Sequence, residues 1–302
     1  MKKFFVGALT AALLFTSSAD AARYFTQGDA AGSSTPYGDN LSVGNYVTAD
    51  DAKIYYEVYG AGEPILILHG GGVGSPYELG KILDELRDGH KLIVVSTRGH
   101  GRSEIGHSPL TYKQKADDAL AVLDALKIDK PIQILGFSDG AYTAYEIAAL
   151  YPERVERITA IGAGTLHAGF FSGELKISDL EKFDKKFIDE QKKIRPEPER
   201  WQEFCNAYMK FWSEQNIGEE TFGKIKCPVL LIVGDEDDHA PVITVLEAHQ
   251  MLANSRLCVV PKAWHTAFLD NYDVTWAAIR QFVNAPIETL TPSKKVEYNS
   301  KS

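Results

Sequence analysis

Leu135-Gly136-Phe137-Ser138-Asp139-Gly140 is the stretch from which the rest of the chain can be read. The apolar run 131–135 leads into it, and residues 141–150, Ala-Tyr-Thr-Ala-Tyr-Glu-Ile-Ala-Ala-Leu, read as a helix that leaves it. A strand that turns sharply into a helix, with serine at the apex and glycine two residues to either side, has the form of a nucleophile elbow. The turn is expected to hold Ser138 in a strained backbone conformation. Glycine at 136 and 140 removes the side chains that would collide where the backbone doubles back. A lone Gly-x-Ser-x-Gly also arises by chance, so its meaning rests on what the rest of the chain supplies.

Working outward, apolar strands alternate with helical segments. Runs 64–68, 91–96, 131–135, 155–161, 228–233 and 255–260 read as strands. Segments 75–87, 111–126, 139–151, 243–252 and 267–283 read as helices, and 46–48 with 53–59 form a hairpin around Asp50-Asp51. Continuous Val/Ile/Leu runs separated by helices imply a parallel sheet buried on both faces. An insert at 163–226 has no strand pattern. Ser178-Asp179-Leu180-Glu181 reads as a capping box, with Leu180, Phe183 and Phe187 on one face of the helix it starts. Trp201, Phe204, Cys205, Tyr208 and Trp212 make a second helical stripe. The stripe predicts packing against the body, with the inner edge of this helical lid lining a pocket.

The chain has 302 residues, 44% of them hydrophobic and 24% charged, an ordinary globular composition. That length suits one large domain with an insert. A formal net charge of −9 with no basic cluster excludes nucleic acid as a partner. Lys2 and Lys3 precede an apolar stretch from Phe4 to Phe15, and Ala19-Asp20-Ala21 offers small residues for cleavage. We read residues 1–22 as a secretory signal cut after Ala21 or Ala22, because the stretch is shorter than the ~20 apolar residues of a spanning helix. The mature protein is then exported, to the periplasm or the exterior, with no stable membrane anchor. Residues 23–44, rich in Gly, Ser, Thr, Pro, Asp and Asn, read as a flexible leader. Residues 45–284 read as the folded domain and 285–302 as a flexible tail. Cys205, Cys227 and Cys258 are an odd number and read as buried small hydrophobes.

A serine hydroxyl needs an adjacent base, and the base needs an acid to orient it. In a parallel sheet such partners sit just beyond the carboxyl ends of strands. After run 228–233 comes Gly234-Asp235-Glu236-Asp237-Asp238-His239-Ala240-Pro241, which holds the acid among its four carboxylates. After run 255–260 comes Pro261-Lys262-Ala263-Trp264-His265, which makes His265 the base. A metal reading of Asp235, Glu236, Asp238 and His239 lacks the spacing of a calcium loop, so no metal or other cofactor is expected. The loop His69-Gly70-Gly71-Gly72-Val73-Gly74 lets backbone approach a substrate closely and lacks the Gly-Lys-Ser/Thr of a phosphate cradle.

With these residues in hand, the chain resembles the α/β-hydrolase superfamily from about residue 46 to 284, and most closely its biphenyl-hydrolase-like ester hydrolases. The resemblance implies a mostly parallel sheet of eight strands flanked by helices, with the 163–226 insert as lid. It places the acid at Asp237, in register with Gly234 and Pro241, and completes a set of Ser138, Asp237 and His265. It assigns the backbone N–H groups of Gly71 and Asp139 to an oxyanion hole, with Gly72 the near alternative to Gly71. Gly72, Phe137 and Trp264 are expected to line the pocket. Ser96-Thr97-Arg98-Gly99-His100-Gly101-Arg102-Ser103 resembles a structural turn of the family, with Ser96 where aspartate is common. The implied activity is hydrolysis of a carboxylic ester of a small molecule. C–C bond hydrolysis of a vinylogous diketone and a non-catalytic ligand-binding role are the alternatives. The Asp139 side chain stays open: facing the pocket it would favour a cationic or hydroxylated substrate, and facing away it would be a polar turn residue.

Overall fold

The computed structural model describes residues 22–28 and 32–292. The chain runs β1 (Gly44–Ala49), β2 (Ala52–Tyr59), β3 (Glu63–Leu68), α1 (Gly80–Leu86), β4 (His90–Val95) and α2 (Tyr112–Ala125). It continues β5 (Ile132–Phe137), α3 (Asp139–Leu150), β6 (Val155–Ile161), α4 (Ile177–Ile194), α5 (Trp201–Ser213) and α6 (Glu219–Phe222). It closes with β7 (Val229–Gly234), α7 (Val242–Met251), β8 (Ser255–Val260), α8 (Ala267–Asp270) and α9 (Tyr272–Val283). Among the described residues these strands form one eight-stranded sheet in the order β1-β2-β4-β3-β5-β6-β7-β8. The β1–β2 and β2–β4 pairs are antiparallel and every later pair is parallel.

The apolar runs behave as a two-faced sheet requires. Side chains alternate across the pleat, so a strand covered on both faces needs apolar residues at every position. Leu66 and Leu68 of β3 belong to the core on the face that α2, α3 and α7 cover. Ile65 and Ile67 of the same strand belong to the core on the face of α1 and α9. Every residue of β5 and β7 is buried. Beyond β4, the fully buried Arg98 donates from Nε and Nη2 to Asp118 at 2.8 Å each and from Nη1 to Asp51 at 2.6 Å. It joins the hairpin tip to α2 and fixes the turn that the family resemblance marked as structural. Ser96 Oγ is buried without a hydrogen-bond partner among the described residues, and Ser103 Oγ donates to the Ser96 carbonyl at 2.5 Å.

Residues 22–28 and 32–44 are not a loose leader. Tyr37 is buried, donates to Asp84 at 3.0 Å and packs edge-on against Tyr59. Glu57 of β2 is fully buried and accepts the Gly38 and Asn40 N–H groups at 2.8 and 2.7 Å, with the Tyr55 and Tyr59 hydroxyls completing its shell. A buried carboxylate without a cation needs such donors, and backbone from the N-terminal segment supplies two of them. Polar composition misled because these residues serve as partners rather than as core. The tail differs in the same way up to Pro292: Arg157 reaches the Ala285 carbonyl at 2.7 Å, and Asn254 and Arg256 reach those of Leu290 and Thr291. Residues 293–302, and residues 1–21 of the signal reading, lie outside the described residues. All three cysteines are free; Cys205 is buried, and Cys227 and Cys258 are only partly so.

The insert is helical, as expected, but begins differently. No side chain caps the start of α4, so Ser178-Asp179-Leu180-Glu181 is not a capping box. The break falls at Asp184, whose φ of −150° and ψ of 76° kink the helix. Its Oδ1 accepts the Phe187 N–H at 3.0 Å and so caps the second half. The kink separates the predicted face: Phe183 is exposed and Phe187 buried. Asp184 also binds Arg23 at 3.0 Å and the Thr26 N–H at 2.9 Å, while Phe25 packs on Phe187 at 5.6 Å between ring centroids. One carboxylate thus ends a helix and ties the N-terminal segment to the lid. Replacing it by alanine leaves a buried guanidinium unpaired and a helix uncapped, a loss of about 3 kcal/mol. Urea denaturation of Asp184→Ala should show that loss, and limited proteolysis should cut between residues 23 and 28. A loss under about 1 kcal/mol contradicts the clamp.

Candidate active site

Ser138 joins β5 to α3 with φ 50° and ψ −118°, a conformation that side-chain-bearing residues rarely adopt. Such strain costs about 1–3 kcal/mol and persists only where surroundings enforce it. Here the Ser138 N–H donates to the Ile161 carbonyl of β6 at 2.7 Å. A Cβ on Gly136 would stand 2.5 Å from the Gly140 carbonyl oxygen, and one on Gly140 would stand 2.3 Å from that of Leu68. The two glycines therefore permit the turn that lifts the hydroxyl off the sheet.

The structure brings Ser138, His265 and Asp237 together from the ends of β5, β8 and β7. Ser138 Oγ lies 2.9 Å from His265 Nε2, and His265 Nδ1 lies 2.9 Å from Asp237 Oδ2. Asp237 Oδ1 accepts the N–H groups of His239 and Ala240 at 2.9 and 2.8 Å. Burial alone would raise the Asp237 carboxyl. The bond and charge of His265 and the two backbone donors outweigh it, so it is held below the usual carboxylate range. Of its neighbours, Asp235 and Glu236 are exposed, Asp235 accepting the Ala263 N–H, and Asp238 is exposed beside His239. Among the described residues, Asp237, His239 and His265 have possible metal-ligand atoms within 4.8 Å of one another, but the His239 and His265 rings stack at an interplanar angle of 21° with their centroids 4.7 Å apart. Stacked rings aim their nitrogens side by side rather than at a shared point.

The loop 70–74, expected to carry an oxyanion donor, is set by neutral His69. Burial pushes this imidazole down to about 4. Its Nε2 accepts the Thr97 N–H at 3.0 Å, so its Nδ1 carries the proton and donates to the Gly70 carbonyl at 2.6 Å. The Gly70 N–H is taken by Glu78 at 2.7 Å, while the N–H groups of Gly71 and Asp139 have no acceptor among the described residues. A Cβ at Gly71 would lie 2.5 Å from the Trp212 ring, so the lid side chain admits only glycine there.

A cavity of about 380 Å³ opens over Ser138 and His265. Gly72 and Phe137 line it as expected; Trp264 does not. Its side chain is 55% exposed and its N–H donates to Asp270, because the bend before His265 turns position 264 outward. The wall also contains residues that the sequence did not single out, Tyr24, Phe25, Thr26 and Glu78, and His239, which the sequence offered only as a metal ligand. Burial pushes the Glu78 carboxyl up to about 8. The Asp139 side chain faces away from the cavity. It is 1% exposed and binds Lys115, the Tyr208 hydroxyl at 2.7 Å and the Trp212 indole N–H at 3.0 Å. A helical stripe flags Tyr208 and Trp212 as packing residues, but no local signal marks Lys115 as their partner.

Comparison with known proteins bears on the family of the chain. The family model for the alpha/beta hydrolase fold matches residues 63–192. A pimeloyl-[acyl-carrier protein] methyl ester esterase of Neisseria meningitidis is 30% identical over 210 residues, covering 59% of this chain and 80% of that protein. The human serine hydrolase BPHL is 24% identical over 253 residues, covering 79% of this chain and 85% of that one. Among solved structures, a meta-cleavage product hydrolase from Pseudomonas fluorescens superposes with a TM-score of 0.64 at 19% identity, over 81% of this chain and 99% of that one. The chain belongs to the alpha/beta hydrolase fold family, as a hydrolase similar to the biphenyl-hydrolase-like serine hydrolases.

Proposed function

We propose that the protein is an exported serine hydrolase that cleaves carboxylic esters of small molecules through an acyl-enzyme. The observation that carries this reading is the unbroken chain of hydrogen bonds from Ser138 Oγ through both nitrogens of His265 to Asp237, at the floor of a cavity of about 380 Å³. That volume suits a small organic molecule. Ser138 Oγ attacks the ester carbonyl as His265 Nε2 takes its proton. Asp237 accepts the Nδ1–H, which selects the tautomer and stabilises the imidazolium. The N–H groups of Gly71 and Asp139 receive the charge that grows on the carbonyl oxygen. His265 then hands its proton to the departing alcohol. Water, deprotonated by the same imidazole, releases the acid and restores Ser138.

Ser138→Ala should lower kcat by ~10⁶ on short p-nitrophenyl esters, since members of such a set act as a unit. Asp237→Asn keeps the shape but loses the charge and should cost ~10⁴. A Ser138→Ala protein that turns over at the wild-type rate refutes the mechanism. Turnover of a ring-cleavage dienoate above that of an aryl ester would assign C–C hydrolysis instead.

Reagent selectivity offers an independent check. Burial pushes the Cys205 thiol up to about 11 and that of Cys227 up to about 12, so almost none of either is thiolate at pH 7. A fluorophosphonate should label Ser138 and abolish activity, whereas iodoacetamide at pH 7 should leave activity intact. Loss of activity to iodoacetamide with no fluorophosphonate labelling would point to a thiol enzyme, and absence of both effects to a binding protein.

Export rests on the charged and apolar pattern of residues 1–22. Mass analysis of protein recovered outside the cytoplasm should find a chain starting at Ala22 or Arg23, which retains the arginine bound to Asp184. A chain that stays in the cytoplasm with Met1 intact overturns the export reading.

A further inference from the structure

The two N–H groups assigned to the oxyanion come from separate parts of the chain, the loop after β3 and the start of α3. One lid helix touches both. Tyr208 and Trp212 of α5 pack edge to face at 4.6 Å, and both press on Gly71, where a Cβ would meet Trp212 Cζ2 at 2.5 Å and Tyr208 Cε1 at 2.9 Å. The polar atoms of the same two side chains grip the other donor's residue: Tyr208 Oη lies 2.7 Å from Asp139 Oδ2 and Trp212 Nε1 lies 3.0 Å from Asp139 Oδ1. Lys115 of α2 closes the group from beneath, bound to both the Asp139 carboxylate and the Tyr208 hydroxyl.

This arrangement is costly if its role is only to hold the fold. The Lys115 and Asp139 side chains are each 1% exposed. Burying such a pair forfeits several kcal/mol of hydration per ion, and apolar residues of similar volume are often as stable. A lone carboxylate next to Ser138 would also repel an oxyanion forming at the Asp139 N–H. Burial favours the neutral acid, but Lys115 and the donors from Trp212 and Tyr208 hold Asp139 below the usual carboxylate range. The charge is thereby neutralised within the protein and spent on internal bonds, so Asp139 is not available to select a cationic substrate.

We propose that Lys115, Asp139, Tyr208 and Trp212 form a positioning lock, in which a buried ion pair holds two lid rings against Gly71 and so fixes the distance between the Gly71 and Asp139 N–H groups. The proposal rests on the serine-hydrolase reading given above. Lys115 and Tyr208 do not line the substrate cavity, so their effect reaches the reaction through Asp139, Gly71 and the Trp212 ring that Tyr208 packs against.

The test compares an ester with its thionoester, in which sulfur replaces the carbonyl oxygen. A well-set oxyanion hole favours the oxygen compound, and a loosened one loses that preference. Tyr208→Phe removes one hydroxyl, keeps the ring and leaves the ion pair whole, so folding is expected to survive; Lys115→Met removes the cation. For Tyr208→Phe, kcat on the oxoester should fall about tenfold with KM within about twofold, the size expected when reacting groups shift by less than 1 Å. The preference for oxoester over thionoester should fall by a similar factor. Lys115→Met, if it folds, should fall further in both respects. An unchanged preference, with both substrates slowed equally or not at all, overturns the lock while the serine-hydrolase reading stands. A wild-type protein without Ser138-dependent turnover of either compound overturns both.

Discussion

The positive φ at Ser138 is the constraint on which the site depends. A residue with a side chain reaches that conformation only when surrounding backbone leaves no alternative. Here the carbonyls of Leu68 and Gly140 crowd the positions where Gly136 and Gly140 lack a Cβ, and the Ile161 carbonyl holds the Ser138 N–H. Two of the enforcing carbonyls, those of Leu68 and Ile161, belong to β3 and β6, the strands that flank β5, and the third belongs to the first turn of α3. A sheet buried on both faces is therefore the frame that holds one hydroxyl in place. The same sheet delivers Asp237 and His265 at the ends of the next two strands along its edge.

Two buried carboxylates then join parts of the chain that lie far apart in sequence. Glu57 and Asp184 draw the N-terminal segment onto the body and onto the lid, and the residues between those anchors supply Tyr24, Phe25 and Thr26 to the cavity wall. Asp139 performs the corresponding task for α5. In each case a carboxylate removed from water is satisfied by donors from another segment. Its requirement for partners is what specifies the contact.

Most of the parallel strands were legible because they contain a continuous apolar run, and burial on both faces of the inner ones leaves that mark in a handful of adjacent residues; β1 and β2 were legible from the Asp50-Asp51 turn between them. The candidate acid and base were legible because they follow such runs: Asp237 stands in the loop after β7 and His265 in the loop after β8. The N-terminal segment was not, since Glu57 and the Gly38 N–H are 19 positions apart and Arg23 and Asp184 are 161 apart. Polar residues that satisfy distant partners look like solvated loop in a linear reading. Phe183 and Phe187 failed for a related reason: helical spacing presumes an unbroken helix, and a single aspartate interrupts it. Trp264 failed because next to a functional histidine a chain bend, not hydrophobicity, decides which way a side chain points.

Ser138 and His265 are separated by 127 positions, and the histidine follows the outermost strand of the sheet. Contacts of such long sequence separation form late, because the chain between them must first be ordered. With β3 and β6 paired to β5 the chain can set the Ser138 turn, yet the serine remains an ordinary alcohol without the residues that follow β7 and β8. Under the serine-hydrolase reading, the reactivity of the hydroxyl is thus a property of the completed sheet edge and not of the Gly-x-Ser-x-Gly turn alone.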